Sequence, residues 1–199
     1  MRDINILVLG VGNILFGDEG LGVHLASLLH RNYCFFPVSG HSGEHGLCSS
    51  FTSEEFNIVD GGTLGPHLIP LMADYRRILL LDCLTANGAK PGDIFSFDYN
   101  KIPANIGRQG SAHEVEMHQT LSMMRMAGDI PEITVVAAVP EIISETSFTL
   151  SPTVLNAAPV MTQKALEILA HWGVGHQQVD TLPLSEIAAG CCGGERDER

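Results

Sequence analysis

Positive charge is scarce in this sequence. Its 199 residues carry 11 Lys and Arg against 23 Asp and Glu, a formal net charge of -12 with histidine neutral. That balance leaves no basic footprint for a nucleic acid, and a protein partner with a basic face suits it better. Long hydrophobic runs are missing too: none reaches the roughly 18 residues that a membrane span requires, so no membrane partner is expected. Met1-Arg2-Asp3 passes straight into an apolar run, which leaves no room for a secretory leader, and the expected location is cytoplasmic. The five cysteines are odd in number and lack metal-type spacing. Reduced thiols fit them better than a disulfide framework. Two catalytic signatures are also lacking. Without a Gly-x-Ser-x-Gly elbow or a clear pairing of cysteine with histidine, a covalent serine or cysteine route has no support.

What the sequence does have is a glycine-rich junction near its start. Ile4 to Leu9 is short, apolar and rich in branched side chains, which predicts a strand covered on both faces in a parallel sheet. Gly10 and Gly12 let the backbone turn, and Leu21, Leu25, Leu28 and Leu29 recur at helical spacing, predicting a helix from about Gly20 to His30. Asp18 and Glu19 thereby fall at the sheet edge where open parallel sheets bind ligands.

Three more strands are expected, at Phe56 to Val59 closed by Asp60, at Ile78 to Leu81 ending in Asp82-Cys83, and at Thr134 to Val139. Asp93 to Asp98 alternates and predicts an antiparallel or edge strand. Helices are expected over Leu64 to Tyr75, shortened or kinked by Pro70, and from Ser111, where Glu114 completes a capping box, to Gly128. The last long helix opens at Ser151-Pro152. Cys34 to Glu55 lacks periodicity and reads as a long excursion, and after Trp172 the pattern fades. The alternation predicts a single three-layer α/β domain over residues 1–175, with a mostly parallel central sheet flanked by helices, followed by a flexible tail at 176–199.

Glu19, Asp60, Asp82 and His113 all fall just past a strand end or at a helix start, and right-handed crossovers place such ends along one rim. Two or three carboxylates and one imidazole make a ligand group suited to a divalent transition metal with positions left open for water or substrate. Singly, each has a plain structural reading. Asp82 could cap the next turn, Glu19 could complement a helix dipole, and His113 could be a surface residue beside a cap.

Gly-Val-Gly-Asn-Ile-Leu-Phe-Gly-Asp-Glu-Gly-Leu-Gly at 10–22, Asp-Gly-Gly-Thr-Leu-Gly at 60–65, Asp82 after its hydrophobic run and Ser-Ala-His at 111–113 together resemble the nickel-iron hydrogenase maturation endopeptidases. The resemblance runs in order from the first strand through the last long helix. It implies an endopeptidase that removes the C-terminal extension of the hydrogenase large-subunit precursor once nickel has been inserted. It implies further that Glu19, Asp82 and His113 bind nickel supplied by the substrate, with no permanently bound cofactor, and that Asp60 matches a further acidic position, assigned here to substrate binding. The chain departs from the family pattern in the length of 34–55 and in a second imidazole at His118. About 140° separates His118 from His113 around a helix, so it should serve as a surface or packing residue.

Three other readings compete. His41-Ser42-Gly43-Glu44-His45 has the letters of a zinc metalloprotease motif, but that motif needs a helix, and Gly40, Gly43 and Gly46 oppose one. Gly10-Val11-Gly12 resembles a dinucleotide fingerprint, yet its third glycine is replaced by Leu15, and Asp18 and Glu19 would repel phosphate. A metal-binding accessory or scaffold protein without protease activity is the remaining alternative, and cleavage of a precursor discriminates it.

Overall fold

Apolar residues on both faces of four short runs build the centre of the molecule. The computed structural model describes residues 4–38, 51–101, 112–128, 130–141 and 146–191, with the side chains of 112–116 and 191 outside that description. β1 (Ile6–Val11) is buried along its whole length. It lies between β3 (Phe56–Gly62) and β4 (Arg77–Cys83), parallel to both. β6 (Glu132–Ala138) continues the parallel set beside β4, and β5 (Ile94–Asp98) closes the sheet antiparallel to β6, as its alternating pattern predicts. The order is β3-β1-β4-β6-β5.

The two-residue period of the strands sorts the core into two layers. Ile6, Val8, Leu79, Leu81, Val136 and Ala138 face one way, toward α1 (Leu21–Asn32) and α4 (Pro152–His171). Leu7, Leu9, Val11, Ile78, Leu80 and Ile133 face the other, where Met117, Leu121 and Met124 of α3 (Ala112–Ala127) cover them. Each such fully buried aliphatic side chain contributes roughly 1.5–3 kcal/mol. The result is a three-layer α/β fold with a mixed, mostly parallel sheet.

Local signals set several boundaries. Pro152 occupies the first turn of α4, and the Ser151 hydroxyl accepts the Val154 N–H at 3.3 Å, a helix-start signal local to the sequence. Pro66 and Pro70 break the expected helix after β3 into a 3-10 turn (Gly65–Leu68) and a short α2 (Ile69–Ala73).

Three elements differ from the sequence expectation. Tyr33–Pro37, at the start of the excursion, forms β2 and pairs antiparallel with β7 (Val174–Gln178). Cys34 within β2 is in a disulfide whose other half lies outside the described residues, so reduced thiols are not the rule throughout; an odd count of five accommodates a pair as well as none. The flexible tail expected at 176–199 instead begins with the end of β7 and then α5 (Leu184–Cys191), whose Leu184, Ile187 and Ala188 are buried in the α1 and α4 layer.

The linker to α5 is fastened by one side chain. Asn32 Nδ2 donates to the Leu182 carbonyl at 2.9 Å, and its Oδ1 accepts the Leu182 N–H at 3.2 Å. No described helix is long and apolar enough to cross a membrane.

Candidate active site

Residues 17–20 form a buried 3-10 turn between β1 and α1, and glycines shape it. Gly12 sits at φ +135°, and a Cβ there would lie 1.9 Å from the Glu19 carbonyl oxygen. Only a residue without a side chain lets the turn fold back over the end of β1.

The turn splits its two carboxylates between different tasks. Asp18 is fully buried: Oδ1 accepts the Ser151 N–H at 2.7 Å and Oδ2 accepts the Glu141 N–H at 2.9 Å. Charged acceptors on backbone donors make strong hydrogen bonds, so Asp18 ties the turn to the chain leaving β6 and to the start of α4. A second tie runs alongside, with Gly17 N–H on the Ser147 carbonyl at 2.7 Å and Ser147 N–H on the Leu15 carbonyl at 3.0 Å. Sequence reasoning placed Asp18 at the rim but missed this anchoring role. Its partners lie more than a hundred residues away, so no local signal could have found it.

Glu19 is 5% exposed, yet its carboxylate has no hydrogen-bond donor among the described residues. Its backbone is held instead: the N–H donates to the Phe16 carbonyl at 3.3 Å, and the Cys83 thiol reaches the Glu19 carbonyl at 3.9 Å. A carboxylate left without a protein donor is available to a cation or a donor brought by another molecule.

Asp82 closes β4, the strand next to β1, and is 7% exposed, with Oδ1 accepting the Cys83 N–H at 2.8 Å. The Cys83 contact therefore holds the backbone of the Glu19 turn against the end of β4, one residue from Asp82. By strand alternation Asp82 projects on the α3 side. α3 ends at Ala127, shortly before β6 begins, so its first turn lies toward the opposite, site-bearing rim. His113 belongs to that turn, and its side chain lies outside the described residues.

Asp60 falls on the other side of the sheet. It pairs with Gly10, and the following Gly61 faces Leu9, Leu68 and Val11, so the Asp60 side chain projects toward α1. It is exposed, and its Oδ1 accepts the Gly62 N–H at 2.9 Å.

Its neighbour in electrostatic terms is His24, a residue absent from the sequence-based set. His24 is 2% exposed and its Nδ1 is buried without a hydrogen-bond partner. Burial pushes its pKa below the ordinary 6.5, and the negative charge of Asp60 pushes back. A signal did exist: His24 interrupts an otherwise apolar stretch from Leu21 to Ala26.

His118 makes an edge contact with the Tyr99 ring at 6.5 Å, the packing role its helical angle predicts. The decoy at 41–45 lies outside the described residues. Among the described residues no three metal-binding side chains gather, a statement that leaves out the His113 imidazole.

The family model described as HycI, hydrogenase maturation protease, matches residues 44–168. Protein HydD of Wolinella succinogenes is 40% identical over 167 residues, covering 83% of this chain and 96% of its own. The hydrogenase 2 maturation protease of Escherichia coli is 29% identical over 172 residues, covering 86% of this chain and 94% of its own. Among solved structures, the hydrogenase maturating endopeptidase HybD from E. coli superposes with a TM-score of 0.73 at 28% identity, covering 88% of this chain and 98% of that one.

Proposed function

The chain belongs to the hydrogenase maturation protease family, and from that premise we propose that it is the endopeptidase that removes the C-terminal extension of a nickel-loaded hydrogenase large-subunit precursor. The observation that carries this reading is Glu19, a largely buried residue whose carboxylate has no hydrogen-bond donor among the described residues and whose backbone is tied to the strand that bears Asp82. Such a carboxylate suits a cation presented by another molecule.

In this reading nickel arrives as part of the substrate. Glu19, Asp82 and His113 complete the coordination of an ion already held by precursor thiolates, and the adjoining peptide bond is thereby positioned. A precursor without nickel offers no such docking point, so cleavage reports that the metal is in place. Hydrolysis then falls to water rather than to a protein nucleophile, in keeping with the lack of a serine elbow and with a Cys83 thiol buried and turned to a carbonyl. Asp60, on the α1 side, contacts the substrate polypeptide rather than the ion.

The test is incubation with large-subunit precursor in nickel-loaded and nickel-free forms, followed by mass measurement of the C terminus. Cleavage of the loaded form alone is expected. Cleavage of both forms would remove nickel from recognition, and cleavage of neither would leave a metal-binding accessory protein.

A further inference from the structure

Asn13 opens the loop that leads from β1 to the Glu19 turn, and its side chain is oriented by the backbone it caps. The Leu15 N–H donates to Oδ1 at 3.0 Å, and the Phe16 N–H donates to the Asn13 carbonyl at 3.1 Å. A backbone N–H needs an acceptor, and in a carboxamide only the oxygen is one. The flip of the amide is therefore settled, and Nδ2 carries its two N–H groups away from the capped backbone. Among the described residues nothing accepts from them.

The neighbours of Asn13 place that amide. Gly12 donates its N–H to the carbonyl of Gly62, just past Asp60, at 3.0 Å. A Cβ on Gly12 would strike the Glu19 carbonyl, and one on Gly20 would lie 2.8 Å from Ile14 Cα. Half-buried Asn13 is thus the residue between two contacts with the Glu19–Gly20 backbone, on a loop tied to the end of β3. From Phe16 the chain enters the buried turn directly, and the Glu19 N–H returns to the Phe16 carbonyl, so the amide and Glu19 belong to one run of turns. Capping accounts for the oxygen alone, since Asp or Ser would accept the Leu15 N–H as well. The two donors are left over, on a rim where Glu19, Asp60 and Asp82 are acceptors when ionised.

We propose that the Asn13 carboxamide is a catalytic group of this protease, donating from Nδ2 to the carbonyl oxygen of the scissile peptide bond as it becomes an oxyanion. The inference rests on the function proposed above and adds the group that stabilises the intermediate. As the water oxygen bonds to the carbonyl carbon, the π pair moves to the carbonyl oxygen, where the carboxylates of the rim repel it and the Nδ2 N–H meets it. That pair then re-forms C=O while the C–N bond breaks. One water proton goes to the departing nitrogen, and the second follows as the new acid ionises, so the products are a carboxylate and an ammonium group. Because Oδ1 is already held by Leu15, the donor needs no reorganisation when the charge appears.

The experiment uses the full chain and nickel-loaded precursor. Asn13→Asp keeps an oxygen for the Leu15 N–H and loses both donors, whereas Asn13→Ala loses the cap as well. Each is expected to lower kcat about 100-fold with KM within about twofold of wild type, the mark of an interaction made only in the transition state. Asn13→Asp is expected to unfold at the wild-type temperature. Agreement between a charged and an uncharged replacement assigns the loss to the donors rather than to the added charge. A wild-type kcat for either variant, a loss confined to KM, or an unfolding temperature of Asn13→Asp that falls in step with activity overturns the catalytic donor while the protease reading stands, because the wild type cleaves. A wild type that leaves loaded precursor uncut overturns that reading and the donor with it.

Discussion

Neighbouring residues in this protein divide labour by direction. Asp18 turns inward to two backbone N–H groups, and Glu19, one position on, keeps a carboxylate without a donor. The chemistry of the pair was legible in the sequence; which one anchors and which one serves was not, since that depends on Glu141 and Ser151. Replacing Glu19 by Gln is expected to weaken binding to nickel-loaded precursor, and His113→Ala to abolish its processing in a protein that still unfolds cooperatively. Glu44→Gln in the decoy should change little in the same assay. His24 carries a different prediction. Its folded pKa lies below 6.5 because burial opposes the charge, so the unfolded chain takes up a proton first as the pH falls. Stability contributed by the neutral ring is thus fully present above about pH 6.5 and is lost as the pH drops toward the folded value. Urea denaturation at about pH 7.5 and about pH 5.5 should show a fall in wild-type stability that His24→Leu reduces. An equal fall in the variant would assign the pH dependence to other groups.

At the scale of elements, the backbone of α1 comes nearest the sheet at glycines. A Cβ on Gly22 would lie 2.2 Å from the Leu81 carbonyl oxygen and 2.4 Å from that of Val11, while one on Gly10 would lie 2.4 Å from the Gly22 carbonyl oxygen. Backbone cannot move aside cheaply, so Gly22→Ala is expected to lower stability by roughly 1–3 kcal/mol. Precursor processing should fall with it, because α1 and the turn bearing Glu19 are one rigid piece. Thermal unfolding measures the first effect. Elements whose cause is local were readable in advance: β1 by its apolar run, α4 by Ser151 and Pro152, β5 by its alternation. β2 and β7 were not, because each is held as a strand chiefly by the other, across most of the chain.

On the whole molecule, one core layer depends on the last described element. Leu184, Ile187 and Ala188 of α5 bury against α1 and α4, and Asn32 fastens the linker that leads to them. Truncation after Thr181 is expected to cost about 3 kcal/mol or more, seen as a lower urea midpoint. An unchanged midpoint would show that α5 adds nothing to the core. The alternating architecture was legible from the sequence, but α5 was not, since eight residues of mixed composition gain their helix by packing. The strand order has a further corollary. β1 separates β3 from β4, so Asp60 and Asp82 stand two strand spacings apart, about 10 Å, on opposite faces of the sheet. With coordination bonds of about 2 Å, no lone ion touches both carboxylates. Whatever engages the two at once must straddle the tip of the central strand, as a saddle does, and must be long enough to hang down either side.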